Sequence, residues 1–325
     1  MDSKTIPIID AHAHFVPKLY RDYLAENNLL FADTFPMPKW DAKVNIETMD
    51  KMNIAGSILS LSSPDFYLGD KNKAREVARD CNELGARTAS DYPKRFGFFA
   101  TLPLPDIEGS LIELEYAFDV LHADGVNFRS NTYGLYLGQP ELDPIFEELN
   151  KRSAVVTMHP TKPSAVPQDV LTGIPIPMME FQFDTTRAVA NMIFNGIFQR
   201  FPNIKFVVPH MGAIIPLLYC RWAATMGVLV MLKVKPEGWT PPDVLAALKG
   251  LYYDFAGNFD MPVQVHTLKA IGSLDNCVYG SDLPHTPQHL AEKWCNDLRN
   301  TDLLTEAEKV NVLHNTGLKL FPRFQ

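Results

Sequence analysis

The sequence contains few cysteines and no long run of basic residues, and both absences limit what the protein can be. Only 4 of the 325 residues are cysteine, and none forms a C-x-x-C pair. In a chain of this size they are expected to be buried thiols in a reducing compartment. The formal charge is −8, and no Lys/Arg stretch is long enough to follow a phosphate backbone. A nucleic acid partner is therefore not expected.

The sequence also lacks the features of a secreted or membrane-inserted chain. Its N-terminal segment has no charged region, apolar stretch and small-residue cleavage site of the secretory kind. The most apolar segment, Leu217–Leu232, is interrupted by Arg221 and is too short to cross a bilayer comfortably. We therefore expect a cytoplasmic protein that has no membrane partner. Because 46% of its residues are hydrophobic, the chain can also bury a large core.

The chain does contain a regular alternation of short β-branched or aromatic runs with longer segments of helical spacing. Many of these runs are almost continuously hydrophobic, as is typical of parallel strands covered on both faces. Eight strands alternating with helices predict an α/β fold, a single (β/α)8 TIM barrel spanning residues 1–325. A doubly wound sheet would also alternate, but it gives no reason for the number eight. The predicted strands are residues 6–14, 54–61, 96–101, 125–129, 154–159, 204–210, 250–256 and 276–282.

Two segments exceed what a minimal barrel needs. Residues 15–40 and 160–180 are rich in proline and aromatic residues, and each follows the end of a predicted strand. Loops in this position hang over the C-terminal face of a barrel, where they usually shape or cover a substrate pocket. We expect lid-like insertions here; the alternative is surface decoration.

Four histidines and one aspartate occupy the C-terminal ends of predicted strands. His12 and His14 alternate along the first strand and so point the same way, while His159, His210 and Asp282 end the fifth, sixth and eighth. A barrel brings such ends into one ring. Three imidazoles and a carboxylate with one open position suit a catalytic divalent ion such as zinc. Individually, each of these residues could equally be a hydrogen-bonded polar group.

These motifs carry a family resemblance. The HAH of the first strand, MHP around His159, HMG at His210 and YGSDLPH around Asp282 resemble the amidohydrolase superfamily. More narrowly they are similar to its aminocarboxymuconate-semialdehyde decarboxylase-like branch of metal-dependent aromatic acid decarboxylases. The similarity extends to residues 40–64, 183–212 and 313–321, and the segments SLSSP, YLG and FDTTRAV look most like 6-methylsalicylate decarboxylases.

The resemblance implies a metal site and its ligands. By this comparison His12, His14, His159 and Asp282 bind one divalent ion, with zinc expected and manganese possible, and His210 stands behind it to orient water or substrate. Binuclear members of the superfamily use a carboxylated lysine on the fourth strand. The corresponding stretch here, GVNFRSN, has no lysine, which favours a single ion.

The resemblance also implies a reaction: decarboxylation of an aromatic 2-hydroxy acid, with Asp282 protonating the ring carbon that bears the carboxylate. A nearby cation lowers the pKa of a carboxyl group, so we hypothesise that the substrate phenol delivers this proton to Asp282. The aminocarboxymuconate enzymes carry arginine in the segment where this chain has Asn45 and Glu47. This departure favours a hydroxybenzoate such as salicylate, 6-methylsalicylate or a dihydroxybenzoate.

Three further residues are candidates for substrate binding. Arg221 matches an arginine that family members use for a substrate carboxylate, sometimes across a subunit interface. Asn131 follows the fourth strand, and His285 follows Asp282 closely. Family resemblance implies a homodimer or homotetramer. Asp254, near the end of the seventh strand, is a candidate for orienting a ligand.

Two other functions remain open at the level of sequence. A single bound ion could instead activate water for hydrolysis of an amide or lactone. The barrel could also be a metal- or ligand-binding protein without catalysis, although the complete ligand set argues against it.

Overall fold

The computed structural model describes residues 2–166, 170, 173–234, 240–257 and 262–325. At its centre lies one sheet of eight parallel strands whose order in space follows their order in sequence. An isolated parallel bridge between Asp10 and Tyr279 joins the first strand to the last, so the sheet closes into a barrel. The predicted (β/α)8 fold is confirmed. We number the strands β1 (Ile8–His14), β2 (Ile54–Ser60), β3 (Phe96–Ala100), β4 (Gly125–Arg129), β5 (Val155–His159), β6 (Lys205–Val208), β7 (Tyr252–Asp254) and β8 (Cys277–Val278).

Each predicted strand overlaps an observed one, but β7 and β8 are shorter than the hydrophobic runs that indicated them. After β7 the chain leaves the sheet, because the backbone N–H of Ala256 bonds the Asp254 side chain instead of a neighbouring strand. After β8, Asp282 adopts a left-handed backbone with φ of 58°. The residues that follow these two strands therefore depart from the regular geometry of the sheet.

Helices surround the barrel and account for the segments of helical spacing. A short hairpin, Asn131–Thr132 with Leu135–Tyr136, follows β4. None of the helices within the described residues combines the length and the apolar character needed to cross a membrane. In the described part of the chain the α-helices are Lys18–Glu26, Ala42–Met52, Lys71–Asp91, Ile107–Asp119, Asp143–Lys151, Glu180–Phe194, Ile197–Arg200, Ile215–Thr225, Val228–Met231, Val244–Gly250, Pro262–Ile271, Gln288–Asn300, Glu306–Val310 and Thr316–Leu320.

The core is arranged in two shells. A large outer cluster packs strands against helices, and a smaller inner cluster fills the barrel interior with side chains such as Ile9, Phe99 and Val207. Leu320 and Phe321 join this inner cluster from the C-terminal segment. Apolar side chains fill the barrel interior, so the barrel is not a pore. The polar residues at the C-terminal strand ends lie above this packed core, at the mouth of the barrel.

The two proline-rich insertions meet over this mouth. Part of the first forms the helix Lys18–Glu26, and its Tyr20 hydroxyl donates to the Pro64 carbonyl oxygen at 2.6 Å. The backbone N–H of Ile176, in the second insertion, donates to Thr34 Oγ1 at 2.8 Å and to the Asp33 carbonyl oxygen at 3.3 Å. Residues 167–169 and 171–172 of the second insertion lie outside the described residues.

Candidate active site

The structure brings the four sequence-predicted ligands together. One ligand atom from each of His12, His14, His159 and Asp282 lies within 4.8 Å of the others. The Nε2 atoms of His12 and His14 are 3.0 Å apart, and Asp282 Oδ1 lies 3.0 Å from His14 Nε2 and 3.6 Å from His12 Nε2. Ligands bound tetrahedrally about 2.0 Å from a metal ion are separated by roughly 3.3 Å. The spacing therefore fits a single small cation.

Hydrogen bonds on the far side of each imidazole fix which nitrogen faces the cluster. The partner of Nδ1 is the Asp254 carboxylate for His12 at 2.7 Å, the Ser60 hydroxyl for His14 at 3.0 Å and the Pro160 carbonyl for His159 at 2.8 Å. A carboxylate and a carbonyl accept only, and the Ser60 carbonyl also lies 3.3 Å from His14 Nδ1. Each Nδ1 therefore carries its proton, and the three Nε2 atoms face one volume. A divalent cation suits this arrangement.

Burial and charge set the protonation of these groups in the metal-free protein. Burial lowers the pKa of His14 to about 3 and holds the pKa of His159 well below its usual value. Burial also opposes protonation of His12, but the negative charge of Asp254 and the hydrogen bond to it outweigh this and raise the pKa to about 9. For Asp282, burial is outweighed by the hydrogen bond to His14 and the charge of His12, which lower its pKa. His12 therefore carries the proton that a cation would replace.

Asp254 connects two parts of the site. It is completely buried at the end of β7. One carboxylate oxygen accepts the Nδ1 proton of His12, and the other accepts the backbone N–H groups of His210 at 2.9 Å and of Ala256 at 3.1 Å. A residue that the sequence indicated only as a candidate for orienting a ligand thus fixes both a ligand and the loop after β6.

His210, which the sequence analysis expected behind the ion, lines the cavity beside the cluster. Its ring centroid lies 5.3 Å from that of His12, and no hydrogen-bond partner for its Nδ1 is found within the described residues. Burial lowers its pKa. His210 and Asp282 both have left-handed backbones, with φ of 55° and 58°. Non-glycine residues in this region carry local strain, which concentrates at functional sites.

His159 and Asp282 of the cluster line a cavity of about 250 Å³ beneath the insertions, and His12 and His14 lie behind them. Phe35, Met37 and Pro177 of the insertions line it, together with Phe181 and Trp294. None of the lining residues within the described ranges is Lys or Arg. Small-molecule pockets typically span about 300–1,000 Å³, so this cavity suits a ligand the size of one substituted ring.

Of the three predicted substrate-binding residues, one lines the cavity. His285 does so, with its Nε2 2.5 Å from the Ser62 hydroxyl oxygen. Asn131 is buried elsewhere: its amide nitrogen donates to Asp184 at 2.8 Å, and its amide oxygen accepts the backbone N–H of Gly134. These bonds assign Asn131 to holding the hairpin after β4. Arg221 lies exposed on the helix Ile215–Thr225 and does not line the cavity of its own chain.

Some cavity residues carried no signal in the sequence. Asp33, Ser62 and Ser63 line it, yet Asp33 lies inside an insertion without periodicity, and serines are common after strands. The one indication available for Asp33 was that it is the only charged residue in the apolar, proline-rich stretch LLFADTFPMP.

Comparison with known proteins gives consistent matches. The family model described as amidohydrolase matches residues 9–323. The 6-methylsalicylic acid decarboxylase of Penicillium expansum is 32% identical over 98% of this chain and 97% of its own length. A crystal structure of a protein named amidohydrolase II has a TM-score of 0.89 and 32% identity, covering 96% of this chain and 99% of the other.

A more distant structural match has a bound metal. The 5-carboxyvanillate decarboxylase of Novosphingobium aromaticivorans, complexed with manganese and 4-hydroxy-3-methoxy-5-nitrobenzoic acid, has a TM-score of 0.86 and 22% identity. It covers 97% of this chain and 96% of its own. At this identity the likeness concerns the fold.

Proposed function

The chain belongs to the amidohydrolase family, and we propose that it is a metal-dependent decarboxylase that converts a 2-hydroxybenzoate into the corresponding phenol and carbon dioxide. The observation that carries this proposal is the convergence of three histidine Nε2 atoms and the Asp282 carboxylate in one cluster, of which His159 and Asp282 line a one-ring cavity. The similarity to a 6-methylsalicylic acid decarboxylase over almost the whole chain makes 6-methylsalicylate the first substrate to test.

The donor set is appropriate for zinc, because imidazole nitrogens and one carboxylate are its usual ligands in catalytic sites. His12, His14, His159 and Asp282 would hold the ion. When bound, it supplies positive charge that attracts the carboxylate and ortho-hydroxyl oxygens of the substrate. The manganese in the 5-carboxyvanillate enzyme makes manganese the alternative, so both ions belong in the assay.

Asp282 is the proposed acid. Its low pKa means that it rests as a carboxylate, so it needs a proton from the substrate. The phenol O–H gives its proton to Asp282 Oδ2, which also accepts the Thr286 hydroxyl at 3.1 Å, and Asp282 then transfers it to the ring carbon bearing the carboxylate. The carbon–carboxylate bond breaks, its electrons restore the aromatic ring, and carbon dioxide leaves. The phenolate finally takes a proton from water.

His210 and the insertions are proposed to prepare the substrate for this transfer. His210 lines the cavity, and its buried Nδ1 has no hydrogen-bond partner within the described residues; its proposed role is to contact a substrate oxygen. The insertions at residues 15–40 and 160–180 act as lids on the single barrel domain, since residues of both line the cavity. Their apolar side chains exclude water, which strengthens electrostatic interactions at the reacting atoms.

We also propose a homodimer or homotetramer in which Arg221 acts across the interface. The helix Ile215–Thr225 buries only Ile215 and Pro216, and it exposes Leu217 at 65% and Arg221. The next segment exposes Met231 at 73%. Apolar surface of this kind beside a binding site is typical of subunit contacts. All four cysteines are free thiols, which supports the expected cytoplasmic location.

A substrate panel tests the proposal. Purified protein is loaded with zinc or manganese and incubated with salicylate, 6-methylsalicylate and dihydroxybenzoates, while carbon dioxide and the phenols are quantified. We expect equimolar phenol and carbon dioxide from at least one acid, and 6-methylsalicylate is the first candidate. No turnover across the panel, together with cleavage of lactone or amide substrates, would replace the decarboxylase assignment with a hydrolase.

A further inference from the structure

A second carboxyl group lines the cavity, on the lid. Asp33 lies in the first insertion, is 9% exposed and lines the same cavity as Asp282 and His210. It has no place in the proton transfer described above. A polar side chain buried to this degree needs hydrogen-bond partners, and Asp33 lines the space in which the substrate would bind.

Asp33 is held in place from both sides. The Ser63 hydroxyl lies beside its carboxyl group and acts to lower its pKa, and Ser63 Oγ lies in turn 2.9 Å from Thr161 Oγ1. The Asp33 carbonyl oxygen accepts the backbone N–H of Ile176 from the second insertion. Asp33 is therefore placed by the loop after β2 and by both insertions, as a recognition group is.

The charges around Asp33 define what it can accept. Burial raises its pKa, while the Ser63 hydrogen bond and the positive charges of Lys162 and Arg129 oppose the rise. In either protonation state the group retains an oxygen that accepts hydrogen bonds. A substrate carboxylate is disfavoured beside it, since the described lining residues include no Lys or Arg. A hydroxyl or amino group that donates a hydrogen bond is favoured.

The geometry of the substrate decides which of its edges reaches Asp33. The carboxylate and ortho hydroxyl of a 2-hydroxybenzoate share one edge of the ring, and that edge is drawn to the histidine cluster. The opposite edge, with carbons 4 and 5, then faces the lid. Building on the proposed function, we infer that Asp33 is a specificity-determining residue that accepts a hydrogen bond from a donor substituent on this distal edge, so that a second hydroxyl at carbon 4 or 5 makes a 2-hydroxybenzoate a better substrate.

Matched substrates isolate this hydrogen bond. The metal-loaded enzyme is assayed with 2-hydroxybenzoate and, at carbon 4 and at carbon 5, with the hydroxyl derivative and with the methoxy derivative, which accepts but cannot donate. A hydrogen bond to a charged group contributes enough for a roughly ten-fold or larger preference. We expect this preference in kcat/KM for the hydroxyl over the methoxy substrate at one of the two positions, expressed mainly in KM.

Variants assign the preference to Asp33. Asp33→Leu, which has similar size and no acceptor, should bring the hydroxyl-to-methoxy ratio close to one. Asp33→Asn keeps one acceptor oxygen and should lower the ratio less. Asp22→Asn changes the same residue type on the exposed face of the same insertion and should leave the ratio at its wild-type value. Metal content and circular dichroism confirm that each variant is folded.

Two results would overturn the inference: a wild-type ratio near one at both positions, or an Asp33→Leu enzyme that loses activity on both substrates by the same factor. Failure of the proposed function is a separate outcome, namely no decarboxylation of any benzoate. In that case the Kd values of the same ligands for the metal-loaded protein, measured by calorimetry, still give the ratio that tests Asp33.

Discussion

Asp254 accepts a hydrogen bond from the Nδ1–H group of His12 at 2.7 Å. This bond turns the Nε2 atom of His12 toward His14, His159 and Asp282. An asparagine here is neutral and can present its amide N–H₂ to the ring, which favours the wrong tautomer. We expect Asp254→Asn to weaken metal binding by about 10- to 100-fold, measured by competition with a chromophoric chelator. Asp297→Asn, on an exposed helix face, is the control. Unchanged metal affinity would show that Asp254 does not orient His12.

Gly280 is required by the close approach of β1 and β8. A Cβ atom at this position would lie 2.7 Å from His12 Cβ and 3.0 Å from Ala256 Cβ. We expect Gly280→Ala to lower the free energy of unfolding by about 1–3 kcal/mol and to displace His12, measured by urea unfolding and by metal content. Gly250→Ala, where a Cβ would meet nothing within 4 Å, should be close to neutral. Equal stability of the two variants would contradict this account of Gly280.

Metal loading should release a proton. In the metal-free protein the pKa of His12 is raised to about 9, whereas that of His14 is lowered to about 3. At pH 7 His12 is thus protonated and His14 is neutral, so a cation displaces about one proton. We expect metal affinity to fall as pH decreases from 8 to 6, by about ten-fold per pH unit, measured by calorimetry in buffers of different ionisation enthalpy. Affinity independent of pH over this range would be inconsistent with a protonated His12.

Asp282→Asn separates metal binding from proton transfer. The amide keeps an oxygen at the cluster but cannot carry the proton between the phenol and the ring carbon. Loss of a general acid typically costs 10²- to 10⁴-fold in rate, and we expect a loss of this size in kcat for decarboxylation. Metal content, measured by mass spectrometry, is the control for the ligand set. A metal-loaded variant with near wild-type kcat would remove Asp282 from the proton path.

Two substitutions on one helix test the role of a partner subunit. Leu217→Glu places a charge on the exposed apolar face and should shift the protein to smaller assemblies, measured by light scattering. Arg221→Gln should leave the assembly intact and raise KM for the substrate acid. A wild-type protein that is monomeric while fully active would contradict both expectations.

The eight strands could be predicted because burial on both faces leaves a hydrophobic run in the sequence itself. The meeting of His12, His14, His159 and Asp282 could be predicted for a related reason, because the barrel brings all C-terminal strand ends to one ring, whatever the sequence distance between them; their proposed roles as ligands came from the family resemblance.

The sequence could not place side chains whose position depends on loops. Asn131 follows a strand just as His159 ends one, but the hairpin after β4 turns its amide to Asp184. The position of Asp33 at the cavity depends on hydrogen bonds between the two insertions, from the backbone N–H of Ile176 to the Asp33 carbonyl oxygen and to Thr34 Oγ1. For Arg221, nothing in the local sequence tells whether a helix residue faces its own barrel or a neighbouring subunit.

The join between β1 and β8 has a consequence for biosynthesis. His12 leaves the ribosome about 270 residues before Asp282, and at typical elongation rates of roughly 5–20 residues per second about 14 to 54 seconds separate them. During that interval the nascent chain presents histidines without the carboxylate that completes their set. Metal insertion is thereby tied to the last stage of synthesis, and polypeptides released prematurely would lack the complete coordination sphere.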